Sequence, residues 1–219
     1  MIIVYHNRYS SFQKSTRIHC ETFGEYSRAC EDGFLQACTK IGQMYQYGLG
    51  TDIDSTKAKE IYQKGCDEGY TQACVKLGQM IQSGQGGATK DENVESIFSK
   101  ACEAKDKYGC YLGGNLFIDE WGEDEDFVFA QKQLTNGCKW GNVQACFELG
   151  QLYENGKGGE EDIQKSYRYY EQACAKNNSN GCANLARMQV AGSASKGLEM
   201  TGFEIYKFLC GNGDPRGCV

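Results

Sequence analysis

Twelve of the thirteen cysteines in this 219-residue chain stand in C-x7-C pairs. The first pair is "CEDGFLQAC", and it recurs as "CDEGYTQAC", "CEAKDKYGC", "CKWGNVQAC", "CAKNNSNGC" and "CGNGDPRGC". The leading cysteines are Cys30, Cys66, Cys102, Cys138, Cys174 and Cys210, and the trailing ones Cys38, Cys74, Cys110, Cys146, Cys182 and Cys218, always 36 residues from one unit to the next. Thiols at this density form disulfides, ligate metal, or sit reduced as small buried residues. Zinc fits poorly, because there are two histidines, no C-x2-C, and no second pair beside each first.

Two cysteines eight positions apart on one helix would lie ~12 Å apart, whereas a bridge needs Cα atoms ~4.4–6.8 Å apart. The chain must therefore turn between them. Gly33, Gly69, Gly141 and Gly213, with Asn177 in the fifth unit, stand three residues past the first cysteine. These residue types enter the left-handed, helix-ending conformation cheaply. The first cysteine is then expected to end one helix and the second to open the next, so that a bridge clamps the corner. Pairing between units is disfavoured by the ~8–10 Å spacing of packed helices. On loop-closure entropy each nine-residue clamp is worth about 2.5 kcal/mol. Reduced, buried cysteines are the competing reading.

Cys20, beside His19, is the odd cysteine. It is expected to be a free thiol, open to thiolate or mixed-disulfide chemistry, or simply an unpaired residue. Catalysis requires a nucleophile, a base and an orienting group. Both histidines, His6 and His19, fall in the poorly repetitive N-terminus, and no nucleophile motif stands in a suitable context. The chain is therefore not expected to be an enzyme, and no cofactor is indicated. The run "DEWGEDED" (119–126) holds six carboxylates in eight residues. It suits either the solvated start of a helix or a docking patch for a basic partner with Trp121 as apolar anchor.

The elements that position these groups follow from the other repeating columns. Ala37, Ile41, Met44 and Tyr45, then Ala58, Ile61, Tyr62 and Gly65, step by three and four, the helical period given twice per unit. Glycine-rich breaks separate the two helices, at "YGLGT", "SGQGG" and "NGKGG". Asp54 and Asp162 sit where a second helix begins and its free N–H groups need acceptors. Each unit is helix A, a glycine loop, then helix B. Such a unit cannot bury its apolar face alone, so the units must stack into a solenoid. The expected architecture is all-α, a right-handed αα solenoid forming one domain over 1–219. It comprises an N-terminal segment and partial repeat (1–29), five repeats of 36 residues (30–209) and a C-terminal partial repeat (210–219).

Helix A offers the most useful surface. Positions i, i+4 and i+7 share a face, and they place Gln36 and Gln43, Gln72 and Gln79, Asn115, Gln144 and Gln151, and Arg187 along one side of the stack. This ladder could hold an extended peptide backbone. The plainer reading is a set of polar residues covering the solvent side of each helix. A net charge of −6 argues against nucleic-acid or anionic-membrane partners, and no run approaches ~18 apolar residues, so no membrane span is expected.

The residues "ACTKIGQMYQYGLGTDIDSTKAKEIYQKG" (37–65) and "ACFELGQLYENGKGGEEDIQKSYRYYEQA" (145–173) resemble the Sel1-like repeat family. Its pattern is a small residue, Leu-Gly, an aromatic, G-x-G, an acid, then Ala and an aromatic. Units three ("FIDEWGEDEDF") and five ("VAGSASKGLEM") depart from it in their loops. Two disulfide-bearing branches are similar. The exact step and strict C-x7-C resemble secreted cysteine-rich proteins of Helicobacter-type bacteria, which implies β-lactam binding or weak β-lactamase activity in a periplasmic or secreted setting. "GQGGATKD" (84–91), "CANLARM" (182–188) and the upstream Cys20 resemble the cytochrome c oxidase assembly factor 7 type. That implies a non-enzymatic protein-binding role in the mitochondrial intermembrane space, with respiratory-complex subunits as partners. The N-terminal residues lack a secretory signal, which favours this second branch.

Overall fold

A computed structural model describes residues 22–88, 93–118 and 124–191, together with positions 207, 210 and 211. Cys20, Trp121 and Cys218 lie outside the described residues, as do the side chains of the acidic run before Asp126. Among the described residues there are ten α-helices and no strand: α1 (Phe23–Glu31), α2 (Leu35–Tyr47), α3 (Ser55–Asp67), α4 (Thr71–Gln82), α5 (Val94–Glu103), α6 (Lys107–Asn115), α7 (Asp124–Lys139), α8 (Val143–Glu154), α9 (Ile163–Cys174) and α10 (Ser179–Val190). Each helix packs on its neighbours in the chain, and the A helices α4, α6 and α8 also touch in series. This is an αα solenoid.

The corners are built alike. In the first, the Gly33 N–H donates to the Cys30 carbonyl (2.9 Å) and the Phe34 N–H to the Ala29 carbonyl (3.0 Å). The same two bonds recur at Gly69 and Tyr70, Lys105 and Asp106, Gly141 and Asn142, and Asn177 and Asn178. This pairing satisfies the carbonyls left over where a helix ends, and it requires a left-handed residue. The five φ values are 90°, 85°, 65°, 91° and 62°. Lys105 thus occupies, in the third corner, a conformation that ordinarily belongs to glycine or asparagine. Across the corners the Cα atoms of Cys30–Cys38, Cys66–Cys74, Cys102–Cys110, Cys138–Cys146 and Cys174–Cys182 are 4.6, 4.5, 4.4, 4.6 and 4.5 Å apart, and all five pairs are bridged. Cys210 is also disulfide-bonded.

So close an approach leaves little room beside the bridge. A methyl group built on Gly65 would lie 2.8 Å from the Ala73 Cβ, one on Gly109 2.5 Å from that of Ala101, one on Gly137 3.0 Å from that of Ala145, and one on Gly181 2.8 Å from that of Ala173. Four corners therefore pair one glycine with one alanine. The first has an alanine on each side, Ala29 and Ala37, and is made by α1, which buries no residue.

Between corners, a large side chain of helix B lies on a glycine of helix A. Tyr62, Phe98, Leu134 and Tyr170 are fully buried, and they cover Gly42, Gly78, Gly114 and Gly150, where a Cβ would come within 2.4–2.7 Å of them. The loop glycines bring one unit onto the unit before it. Gly86 (φ 66°) would place a Cβ 2.5 Å from the Ser55 carbonyl oxygen, and Gly158 (φ 81°) 2.7 Å from the Phe127 carbonyl carbon. Asp54 and Asp162 cap their helices, each accepting at 2.9 Å from the backbone N–H three residues on, Lys57 and Lys165 respectively.

The buried apolar residues form two clusters, one from Ala58 to Ala101 and one from Phe127 to Met188. Helix α6 lies between them, and its buried residues are Gly109, Cys110, Gly113 and Gly114. Gly113 stands where the neighbouring units have Leu77 and Leu149. The gap is taken by Gln133, whose Cδ would be 3.8 Å from a Cβ at Gly113. Its Nε2 donates to Ser99 Oγ (3.2 Å), while its Oε1 is buried without a partner.

Two outcomes follow from this packing. Gly109→Ala is expected to destabilise the chain by ~1–3 kcal/mol through overpacking, and Ala101→Gly in the same chain to recover most of the loss. Thermal midpoints by circular dichroism check this, and equal midpoints for the single and double variants would show that methyl contact does not limit the corner. Gln133→Leu is expected to stabilise by roughly 1 kcal/mol, because it removes an unpaired buried carbonyl. A lowered midpoint would show that the Ser99 bond outweighs that carbonyl.

Candidate functional site

Because each helix A turns its apolar residues toward helix B, its remaining face is presented in the same orientation by every unit. On α2, α4 and α6 these faces enclose a groove of about 550 Å³. Thr39, Lys40 and Gln43 line it from α2, Gln72, Val75, Lys76 and Gln79 from α4, and Asp106, Tyr108, Tyr111 and Leu112 from the start of α6. The groove crosses three units. A hollow of about 630 Å³ on the other side is lined mainly by α3, with Lys59, Glu60, Lys64, Asp67 and Glu68. Its charges alternate along a single helix and Gln63 bonds Asp67 (3.1 Å), so it has less to offer a ligand spanning several units.

Lys40 Nζ donates to Gln43 Oε1 (3.2 Å) and Lys76 Nζ to Gln79 Oε1 (3.4 Å). The Tyr70 hydroxyl, at the corner between them, donates to Gln72 Oε1 (2.8 Å), with Gln36 beside it. With these carbonyls engaged, the amide N–H groups of Gln43, Gln72 and Gln79 are what these side chains have left to offer as donors. Asp106 is the N-cap of α6, its Oδ1 accepting from the N–H groups of Tyr108 (2.9 Å) and Gly109 (3.0 Å). Tyr108 is 57% exposed, and Lys107 Nζ lies 5.3 Å from its ring centroid.

Of the ladder read from the sequence, Gln43, Gln72 and Gln79 line one groove, and Gln36 stands at its rim beside Tyr70. The others are placed differently. Gln144 Nε2 donates to Glu148 Oε1 (2.7 Å), and Gln144 Oε1 accepts from Asn178 (3.2 Å). Arg187 is ion-paired with Glu154, whose other oxygen accepts from the buried Tyr170 hydroxyl (2.7 Å). Asn115 is exposed at the end of α6, and the half-buried Gln151 gives its backbone carbonyl to Asn155 (2.8 Å). The sequence ladder passed over Thr39, Val75 and Tyr111. They form their own 36-residue column, so the signal was present one position away.

Beyond Leu112 the face continues to Glu148. Burial pushes the Glu148 carboxyl above its ordinary range, with the Gln144 bond opposing, and burial likewise raises the Tyr111 hydroxyl, helped by the Glu148 charge. Among the described residues no group of three or more His, Cys, Asp or Glu is placed to hold a metal ion, and no helix is long and apolar enough to cross a membrane. The groove is equipped for hydrogen bonding, for holding an anion and for apolar contact.

A carboxyl raised on folding binds its proton more tightly in the folded state, so the stability it confers is lost as pH rises through its folded pKa. Glu148→Gln is therefore expected to raise the thermal midpoint at pH 7 and to leave it unchanged near pH ~3, below both pKa values. A lower midpoint at pH 7 would mean that the carboxylate's bonds outweigh its burial.

The Sel1 repeat family matches residues 35–70, 71–94 and 143–178. No curated protein sequence matches the chain. Among solved structures, a Sel1 repeat protein from Oxalobacter formigenes is 22% identical, with 82% of this chain and 74% of that one covered and a TM-score of 0.72. A protective antigen present in uropathogenic Escherichia coli strains, displaying an SLR fold, is 23% identical, with 88% and 49% covered and a TM-score of 0.56. This chain thus spans about half the length of that antigen. Helicobacter pylori cysteine rich protein B is 25% identical over 65% of this chain and 95% of its own, at a TM-score of 0.43. The first two likenesses concern the fold and agree with the repeat geometry: the chain is a disulfide-clamped solenoid with matches to the Sel1 repeat over 35–94 and 143–178.

Proposed function

We propose that the chain is a non-enzymatic scaffold that holds a partner protein along its A-helix face in an oxidising compartment. The observation that carries this reading is the groove across α2, α4 and α6, lined by Gln43, Gln72 and Gln79 and held in register by bridged corners. Five disulfides in the described residues support the oxidising setting. The finer assignment is the mitochondrial intermembrane space, with a respiratory-complex subunit as partner in its assembly. It rests on the resemblance of "GQGGATKD", "CANLARM" and Cys20 to the assembly-factor type.

The sixth pair, Cys210 and Cys218, departs from that type and favours a second reading. This is a secreted or periplasmic bacterial protein that binds or slowly hydrolyses β-lactams. Saturable turnover of a chromogenic β-lactam by the oxidised chain would establish it and sink the scaffold-only view.

The first reading is tested in two steps. Alkylation of the chain from its native cell, before any reduction, is expected to label Cys20 and spare the bridged cysteines. Labelling of all thirteen cysteines would overturn the oxidising compartment. A photo-crosslinking side chain at Gln79 is then expected to capture a respiratory-complex subunit, while the same group at Gln63 on α3 captures none. Equal adducts at the two positions would sink the A-face assignment.

A further inference from the structure

The groove has a sign and a direction. Lys40 and Lys76 occupy the same position in successive units and both face it, and neither has a carboxylate within ion-pair reach among the described residues. Lys107, over the Tyr108 ring, adds a third cation at the rim. Asp106, the acid that lines the groove, has one carboxylate oxygen engaged by two backbone N–H groups. A cationic stretch in a chain of net charge −6 is opposite in sign to the protein around it. Along the same column the residue becomes Leu112 in the third unit, beside the exposed Tyr108 ring, and then the half-buried Glu148. The face therefore runs from cationic, through apolar, to acidic.

We propose that this groove selects an extended acidic segment of a partner protein. Carboxylates of that segment would lie over Lys40 and Lys76, and a large apolar or aromatic side chain would lie against Tyr108 and Leu112. The amide N–H groups of Gln43, Gln72 and Gln79 then meet the segment's backbone carbonyls beside the two lysines. Direction follows from charge: the acidic end of the segment lies over units one and two, because at unit four it would meet Glu148. Charge-assisted bonds to two lysines make the association strongly dependent on salt. This proposal rests on the A-face reading above and adds to it the chemistry of what is bound.

The test uses the whole oxidised chain and a displayed library of random peptides of about a dozen residues. Selection is expected to enrich sequences with two or more Asp or Glu and one aromatic or large aliphatic residue at a constant spacing. The best synthetic peptide is expected to bind Lys40→Glu/Lys76→Glu at least about tenfold more weakly than the unaltered chain. It should also weaken at about 0.5 M salt, and bind Lys59→Glu/Lys64→Glu, altered on α3, as well as before. Enriched peptides without acids, or indifferent to the Lys40 and Lys76 charges yet lost in Tyr108→Arg, would overturn the acidic specificity and leave the A-face reading standing. Failure to enrich any peptide, or binding abolished only by the α3 variant, would overturn both.

Discussion

The close approach of two Cα atoms at each corner, 4.4–4.6 Å apart, is the constraint on which the rest of this structure depends. Within nine residues the chain must end a helix, reverse and begin another. It needs a left-handed residue to do so, and it leaves space for only one methyl group beside most of the bridges. The disulfide acts on the unfolded chain by limiting its conformations, while the small residues and the paired backbone bonds act on the folded one. Each corner thus sets the angle between a helix B and the next helix A from local chemistry, before any long-range packing is considered.

Long-range packing then uses what the corners make available. A ring or leucine from helix B lies on the glycine of its own unit's helix A, and loop glycines let one unit's backbone touch the helix before it. Where a column changes, the effect is local. With Gly113 in a leucine position and Gln133 opposite, large apolar side chains give way at α6 to buried glycines, yet the Cys102–Cys110 bridge and the Lys105 turn keep the corner's geometry. A repeat chain tolerates such a unit because each unit bonds chiefly to its neighbours.

The residues that build the stack and those that face outward occupy different columns of the same repeat. Corner cysteines, helix glycines and buried rings hardly vary from unit to unit, since each meets the same surroundings. The outward face of helix A changes from Lys40 and Lys76 to Leu112 and Glu148, since nothing in the stack requires a particular residue there. Uniform geometry with varied side chains converts a periodic scaffold into a surface with a sign and an orientation.

The 36-residue step, the pairing within C-x7-C, the two helices per unit and the Asp54 and Asp162 caps were all legible in the sequence. They depend on residues close together in the chain, where spacing and backbone conformation largely decide the outcome. The glycine–alanine pairing at the corners was also written there but is recognisable only once the bridge's geometry is known. What the tertiary structure alone decided is which outward residues meet. Gln43, Gln72 and Gln79 share a groove, whereas Gln144 and Arg187, at equivalent places in the repeat, are engaged by Asn178 and Glu154. The reason is physical: a helical face is set by period, but whether a polar side chain on it is available depends on partners 33 or 34 residues away, and those contacts exist only after the units have stacked.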